Sequence, residues 1–136
     1  MSRFIPIFAV LLLGAAFAAP ASAKLPKERS YPKMDQCLDQ PEARNGVTAA
    51  LLDCTNAEID RQVARMNNAL AKLIAKHPQK AARLKKEQAE WERTMKRATL
   101  KEYGRTGGTM DLLNGSGLEL DMIADRADAL EKRLAR

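Results

Sequence analysis

An all-α fold is predicted, an antiparallel bundle of about three long helices with an irregular N-terminal segment tied by one disulfide, and three observations predict it. Apolar residues Ile59, Val63, Met66, Leu70 and Leu73 step by four and three, which holds a narrow stripe on one side of a helix. His77-Pro78 interrupts the pattern and can turn the chain back on itself, because proline pushes its predecessor out of the helical region and suits the first position of the next helix. A second stripe follows at Leu84, Trp91, Met95 and Ala98, with the polar Gln88 filling the slot between Leu84 and Trp91. The two stripes are expected to face one another across a hairpin running from Thr48 to Tyr103.

Residues 1–23 read as an export signal rather than as part of the fold. Arg3 precedes an apolar run from Phe4 to Ala19, and Ala21-Ser22-Ala23 offers small residues for cleavage before Lys24. The run contains Pro6 and Gly14 and is shorter than the about 20 residues of a membrane span, so the mature form is not expected to be membrane-spanning. The expected location is periplasmic or secreted, with residues 24–136 forming a single helical domain. A chain of that size buries only about two-thirds of its unfolded surface, so a covalent tie would help it. Cys37 and Cys54, the two cysteines of the sequence, are expected to form that tie in an oxidising compartment. Their spacing does not suit a Cys-x-x-Cys redox pair, and a single histidine argues against a metal site.

Elements follow in order. Lys24 to Gly46 reads as a loop broken by Pro26, Pro32 and Pro41, with a weak signal for a helical turn around Cys37 at Asp35 or Asp39. Thr48 is the expected N-cap of a first helix ending at Lys76-His77, about 43 Å long. Asn67, beside the apolar seam, is expected to be partly buried and hydrogen-bonded between helices. A second helix is expected from about Gln79 to Tyr103, with Gly104 at its C′ position. Trp91 at helical spacing reads as core rather than as a ligand platform. Thr109 is placed to cap a third helix. Two glycines within Asn114-Gly115-Ser116-Gly117 cost about 2 kcal/mol of helix propensity, so a distortion is expected there, followed by a firm helix from about Leu118 to Ala135. Leu120, Ile123, Ala127, Leu130 and Leu134 supply its buried stripe.

Charge is distributed unevenly. Residues 24–136 carry 22 basic and 17 acidic side chains, a net +5. Residues 61–105 alone hold 13 basic and 4 acidic groups, whereas both flanks are slightly acidic. Such a segment can steer an anionic partner over about a Debye length, although a solvated helix surface is the blander reading. Interleaved acids at Glu87, Glu90, Glu92 and Glu102, with few aromatics for stacking, argue against nucleic acid. No cofactor, metal or catalytic residue is indicated. His77 has no nucleophile or carboxylate placed near it by sequence and reads as a helix-boundary residue, so the chain is expected not to be an enzyme.

Several residues also fall into a familiar order. Cys37 and Cys54, Glu58, the Met66-Asn67 pair, Leu73, Gln88-x-x-Trp91, Gly107-Gly108-Thr109 and Arg126 span nearly all of residues 24–136. In this order and spacing the chain resembles the N-terminal domain family of LprI-type lysozyme inhibitors, small exported helical proteins. It departs from the family at Val63, where an acidic residue is usual, near Leu70, where an aromatic is usual, and at Met95-Lys96, often an Arg-Asp pair. Thr99 and Leu118 stand where a second disulfide is common. The resemblance implies non-covalent binding to lysozyme or another protein. Animal-type lysozymes are generally basic, so a local acidic surface would be needed, and Asp111, Glu119, Asp121, Asp125 and Asp128 are the candidates. Gly104–Gly117 is the irregular stretch expected to be exposed enough to enter a cleft. The alternative is a periplasmic helical interaction module whose basic face binds an anionic partner, a membrane surface or a cell-wall polymer.

Overall fold

The computed structural model describes residues 29–136, so the expected signal segment, its cleavage site and Pro26 lie outside the described residues. Two prolines expected to break the N-terminal segment instead begin helices. Pro32 opens α1 (Pro32–Leu38) and Pro41 opens α2 (Pro41–Arg44), each in the first turn, where a missing N–H costs nothing. Cys37 on α1 is bonded to Cys54, as expected, and Ala43 on α2 is buried, so the segment is pinned across α3.

The helical hairpin lies where periodicity and proline put it. α3 runs from Thr48 to Lys76, a short 3₁₀ turn covers Pro78–Lys80, and α4 runs from Ala81 to Tyr103. Thr48 is the first helical residue rather than the cap; Val47 occupies the cap position without a side-chain bond. Gly104 ends α4 with a negative φ and so does not supply a left-handed C′ residue.

α5 (Thr109–Leu134) corrects two expectations. It is one continuous helix, with no distortion at Gly115. The glycines permit close packing rather than a break: Gly115 is buried with its Cα side against the Tyr103 ring, and the buried Ser116 hydroxyl donates back to the Leu113 carbonyl at 3.0 Å. α5 is also the element that both other long helices pack against. It runs parallel to α3 and antiparallel to α4, and α3 and α4 approach each other closely along little of their length. Ala124 and Ala127 are fully buried, and small side chains at these positions let the backbones come near.

The core joins Met66, Ala69 and Leu73 of α3, Leu84 of α4, and Ile123, Ala127 and Leu130 of α5, with Ile59, Val63, Leu70, Trp91, Met95 and Leu134 half-buried around it. The expected stripes are therefore the buried ones. Asn67 departs from expectation: it is exposed, and Ala69 takes the interior position beside Met66. One turn separates residues 66 and 69 on the inner face, and Asn67 falls about 100° away from Met66.

Candidate functional site

Glycine, threonine and a single carboxylate build an ordered tip where α4 passes into α5. Residues Gly104 to Met110 are all exposed, and Gly107 has φ +79°, a left-handed conformation that other residues rarely adopt. Asp111, three positions after the Gly108 cap, turns back into this loop. Its carboxylate accepts from the Thr106 and Gly107 backbone N–H groups and, at 2.9 Å, from the Thr106 hydroxyl. These donors meet a carboxylate at the positive end of α5, where negative charge is favoured. The Thr106 N–H bond, opposed by burial and helped by the Thr106 hydroxyl, Gly107 and Arg105, holds the Asp111 carboxyl below its ordinary range. Thr109 is the first helical residue, so the capping task expected of it falls to Asp111. An acid three positions into a helix, after Gly-Gly-Thr, is the sequence signal that marks this role.

Large apolar side chains stand exposed around the tip. Leu100 on the last turns of α4, and Met110 and Leu112 on the first turn of α5, are 58%, 60% and 41% exposed. The irregular stretch is thus Gly104–Gly108 rather than Gly104–Gly117, and its flanks are helical. Beneath it Tyr103 packs on Gly115 and donates its hydroxyl to Glu119 Oε2 at 3.0 Å. Burial, with the neighbouring Glu119 carboxylate, pushes that hydroxyl up to about 12, so it stays a donor at neutral pH.

The acidic set expected as a surface is divided by the fold. Asp111 is buried and serves the tip, and Glu119 is half-buried and bonded to Tyr103. Asp128 is bridged by Arg29 and Arg65, and Arg65 also binds Glu131 across the α3–α5 seam. Asp125 is exposed but paired with Arg29 at 2.8 Å, which leaves Asp121 as the exposed member without an ion pair among the described residues. For Asp128, burial raises the carboxyl, but the bonds and charges of Arg65 and Arg29 outweigh it and hold it below the carboxylate range. A carboxylate depressed in the folded state stabilises above its unfolded range and loses that contribution as pH falls through its folded value. With Asp111 and Asp128 both depressed, the melting temperature is expected to drop as pH falls below about 4, and Asp128→Asn to flatten that drop, as read from melts between pH 7 and pH 2.5.

Four of the motif residues come together where the three long helices meet. Arg126 of α5 donates Nε–H to Gln88 Oε1 at 3.0 Å and lies 5.7 Å from the centre of the Trp91 ring. Gln88, buried on α4, donates its amide to Glu92 at 3.1 Å and approaches the Met66 sulfur at 3.5 Å. The Nη2 group of Arg126 is buried without a hydrogen-bond partner among the described residues, and burial, then repulsion from Arg133, lowers the pKa of the guanidinium. Gln88→Leu removes the acceptor that the Nε–H has among the described residues and is expected to cost about 2 kcal/mol in urea unfolding. Glu58, another motif residue, is buried on α3 and accepts from Arg61 and Gln62 at 2.7 and 2.8 Å. Gly107, Gly108 and Thr109 form the tip, and Asn67 alone of the set lies apart on the outer surface.

No group of histidine, cysteine, aspartate or glutamate suited to a metal occurs among the described residues, and no helix among them is long and apolar enough to cross a membrane. The arrangement defines a class: a small disulfide-pinned helical scaffold that presents, at one end, an ordered loop flanked by exposed apolar side chains. Residues 33–130 match the family described as lysozyme inhibitor LprI. The chain belongs to that family. Comparison with curated proteins found no match, and no solved structure matches the chain.

Proposed function

We propose that the chain is exported, sheds residues 1–23, and acts as a single-domain protein that inhibits lysozyme by non-covalent binding rather than by catalysis. The family match over residues 33–130 carries this reading. The tip supports a contact surface: Asp111 orders the loop before any partner arrives, so little conformational entropy remains to be lost on binding. Leu100, Met110 and Leu112 supply apolar area that is exposed in the free protein. Asp121, exposed farther along α5, adds negative charge that suits a basic lysozyme, whereas the charge of Asp125 is offset by Arg29.

Titration of residues 24–136 against animal-type and other lysozymes tests the reading, with cell-wall lysis as the readout. Near-stoichiometric slowing is expected. Absence of slowing for every lysozyme type at large molar excess overturns it. Met110→Asp with Leu112→Asp is expected to weaken inhibition at least about tenfold while leaving the helical signal intact, the loss typical of removing a central contact. Asp121→Asn with Asp125→Asn should chiefly slow association and lessen its salt dependence.

A further inference from the structure

At the end of the bundle opposite the tip, the turn at His77-Pro78 and the last turn of α5 enclose a half-open recess of about 340 Å³. Its floor is made by the buried Leu73 and Leu84. Lys80, Arg83, Arg133, His77 and Arg136 complete its lining. Glu87 is the carboxylate set among them. It accepts from Arg133 Nη1 at 3.0 Å and lies 3.4 Å from Arg83 Nε. One carboxylate thus ties two guanidiniums from different helices into fixed positions, and Lys80, Arg83 and Arg133 against it leave two positive charges in excess.

Helix electrostatics account for Arg133, which stands in the last turn of α5, but not for Lys80 and Arg83. Lys76 is placed as such an account requires, donating to the Leu134 carbonyl at the negative end of α5 at 2.9 Å. Lys80 and Arg83, however, stand at the beginning of α4, whose first turn holds no acidic residue, and positive charge there is unfavourable. Lys80 makes no ion pair among the described residues. Among the described residues Glu87 alone balances the cations of the recess, and a multivalent anion would neutralise the remainder.

We infer that this recess binds a phosphate-bearing anion, with Arg83 and Arg133 gripping its oxygens through their remaining N–H groups, Lys80 contributing charge, and Glu87 acting as the positioning residue. Guanidinium forks match phosphate oxygens bidentately, and a pair of them held on two helices favours phosphate over a monovalent anion. The chemistry is shared by a soluble phosphate compound and by a phospholipid headgroup. It is independent of lysozyme binding, which concerns the other end of the molecule.

Pyrophosphate is the soluble probe, and vesicles of phosphatidylglycerol, with phosphatidylcholine as neutral reference, are the lipid probe. Residues 24–136 are titrated with each, following amide shifts and heat at low salt. Saturable binding of pyrophosphate, with shifts centred on His77–Leu84 and Arg133, is the expected result. Arg83→Gln with Arg133→Gln should weaken it at least about tenfold. Lys96→Gln with Arg97→Gln changes the charge equally, about 20 Å along α4, and should weaken it less than about twofold. Binding to anionic vesicles alone, lost in the first pair and kept in the second, identifies a lipid headgroup as the source of the phosphate. Equal loss in both pairs, or no saturable binding of either probe, overturns the inference. Thermal melts of each pair confirm that the fold is retained before the affinities are compared.

Discussion

Removing the Cys37–Cys54 bridge, by reduction or by paired alanine substitution, is expected to lower the unfolding free energy by about 3 kcal/mol. The bonded cysteines are 17 positions apart, and opening that loop returns chain entropy to the unfolded state. For a chain of about a hundred residues each kcal/mol moves the melting temperature by about 4–8 °C, so the expected fall is well over 10 °C. The loss should also be local. α1 buries no residue of its own, α2 buries Ala43 alone, and the bridge ties α1 covalently to α3. Reduced protein should therefore be cleaved by protease first within residues 30–47, while α3, α4 and α5 stay protected. Simultaneous loss of protection across all three long helices would show that the bridge holds the whole bundle rather than its N-terminal segment.

Gly115 and Gly117, two positions apart on the same helix, are expected to respond to alanine with opposite signs. A Cβ on Gly115 would sit 2.5, 2.6 and 2.7 Å from Tyr103 Cδ1, Cε1 and Cγ. Cγ is the root of the ring, so the whole side chain must shift, and the shift strains its bond to Glu119. Overpacking of this kind costs up to about 3 kcal/mol, and alanine regains about 1 kcal/mol of helix propensity, so a net loss of about 1–2 kcal/mol is expected. Nothing lies within 4 Å of a Cβ on Gly117, and there the propensity gain stands alone, raising stability by about 0.5–1 kcal/mol. Chemical denaturation of the two variants measures the difference directly. Tyr103→Leu in the Gly115→Ala background should restore part of the loss, and a double-mutant cycle that shows no coupling would mean the ring is not what excludes the methyl group.

The comparison of these two glycines shows where sequence reading stops. Helix propensity treats them alike and lowers the expectation of a helix through residues 114–117 by about 2 kcal/mol. Packing separates them, because Gly115 faces Tyr103 while Gly117 faces open space, and α5 continues through both because its burial against α3 and α4 outweighs a local preference of that size. The same limit applies to the candidate site. Asp111 and Asp121 are both acids on the expected surface by sequence, but one is drawn inward by the N–H groups of Thr106 and Gly107 and the other is left in solvent. Asn67 and Gln88 are polar residues beside apolar seams, and only Gln88 has a buried guanidinium to meet.

What the sequence by itself determined is whatever depends on near neighbours. The α3 boundaries, the turn at Pro78, the buried stripes of all three long helices and the pairing of the two cysteines follow from periodicity, from the fixed geometry of proline and from the number of available thiols. The tertiary structure alone decided that α5 rather than α4 lies closest to α3, that Met66, Gln88, Trp91 and Arg126 converge, and that Arg83 and Arg133 share Glu87 across a recess. Each of these joins residues some 20 to 60 positions apart. Helical spacing tells which face a side chain occupies, but the crossing of the helices tells which side chain it meets.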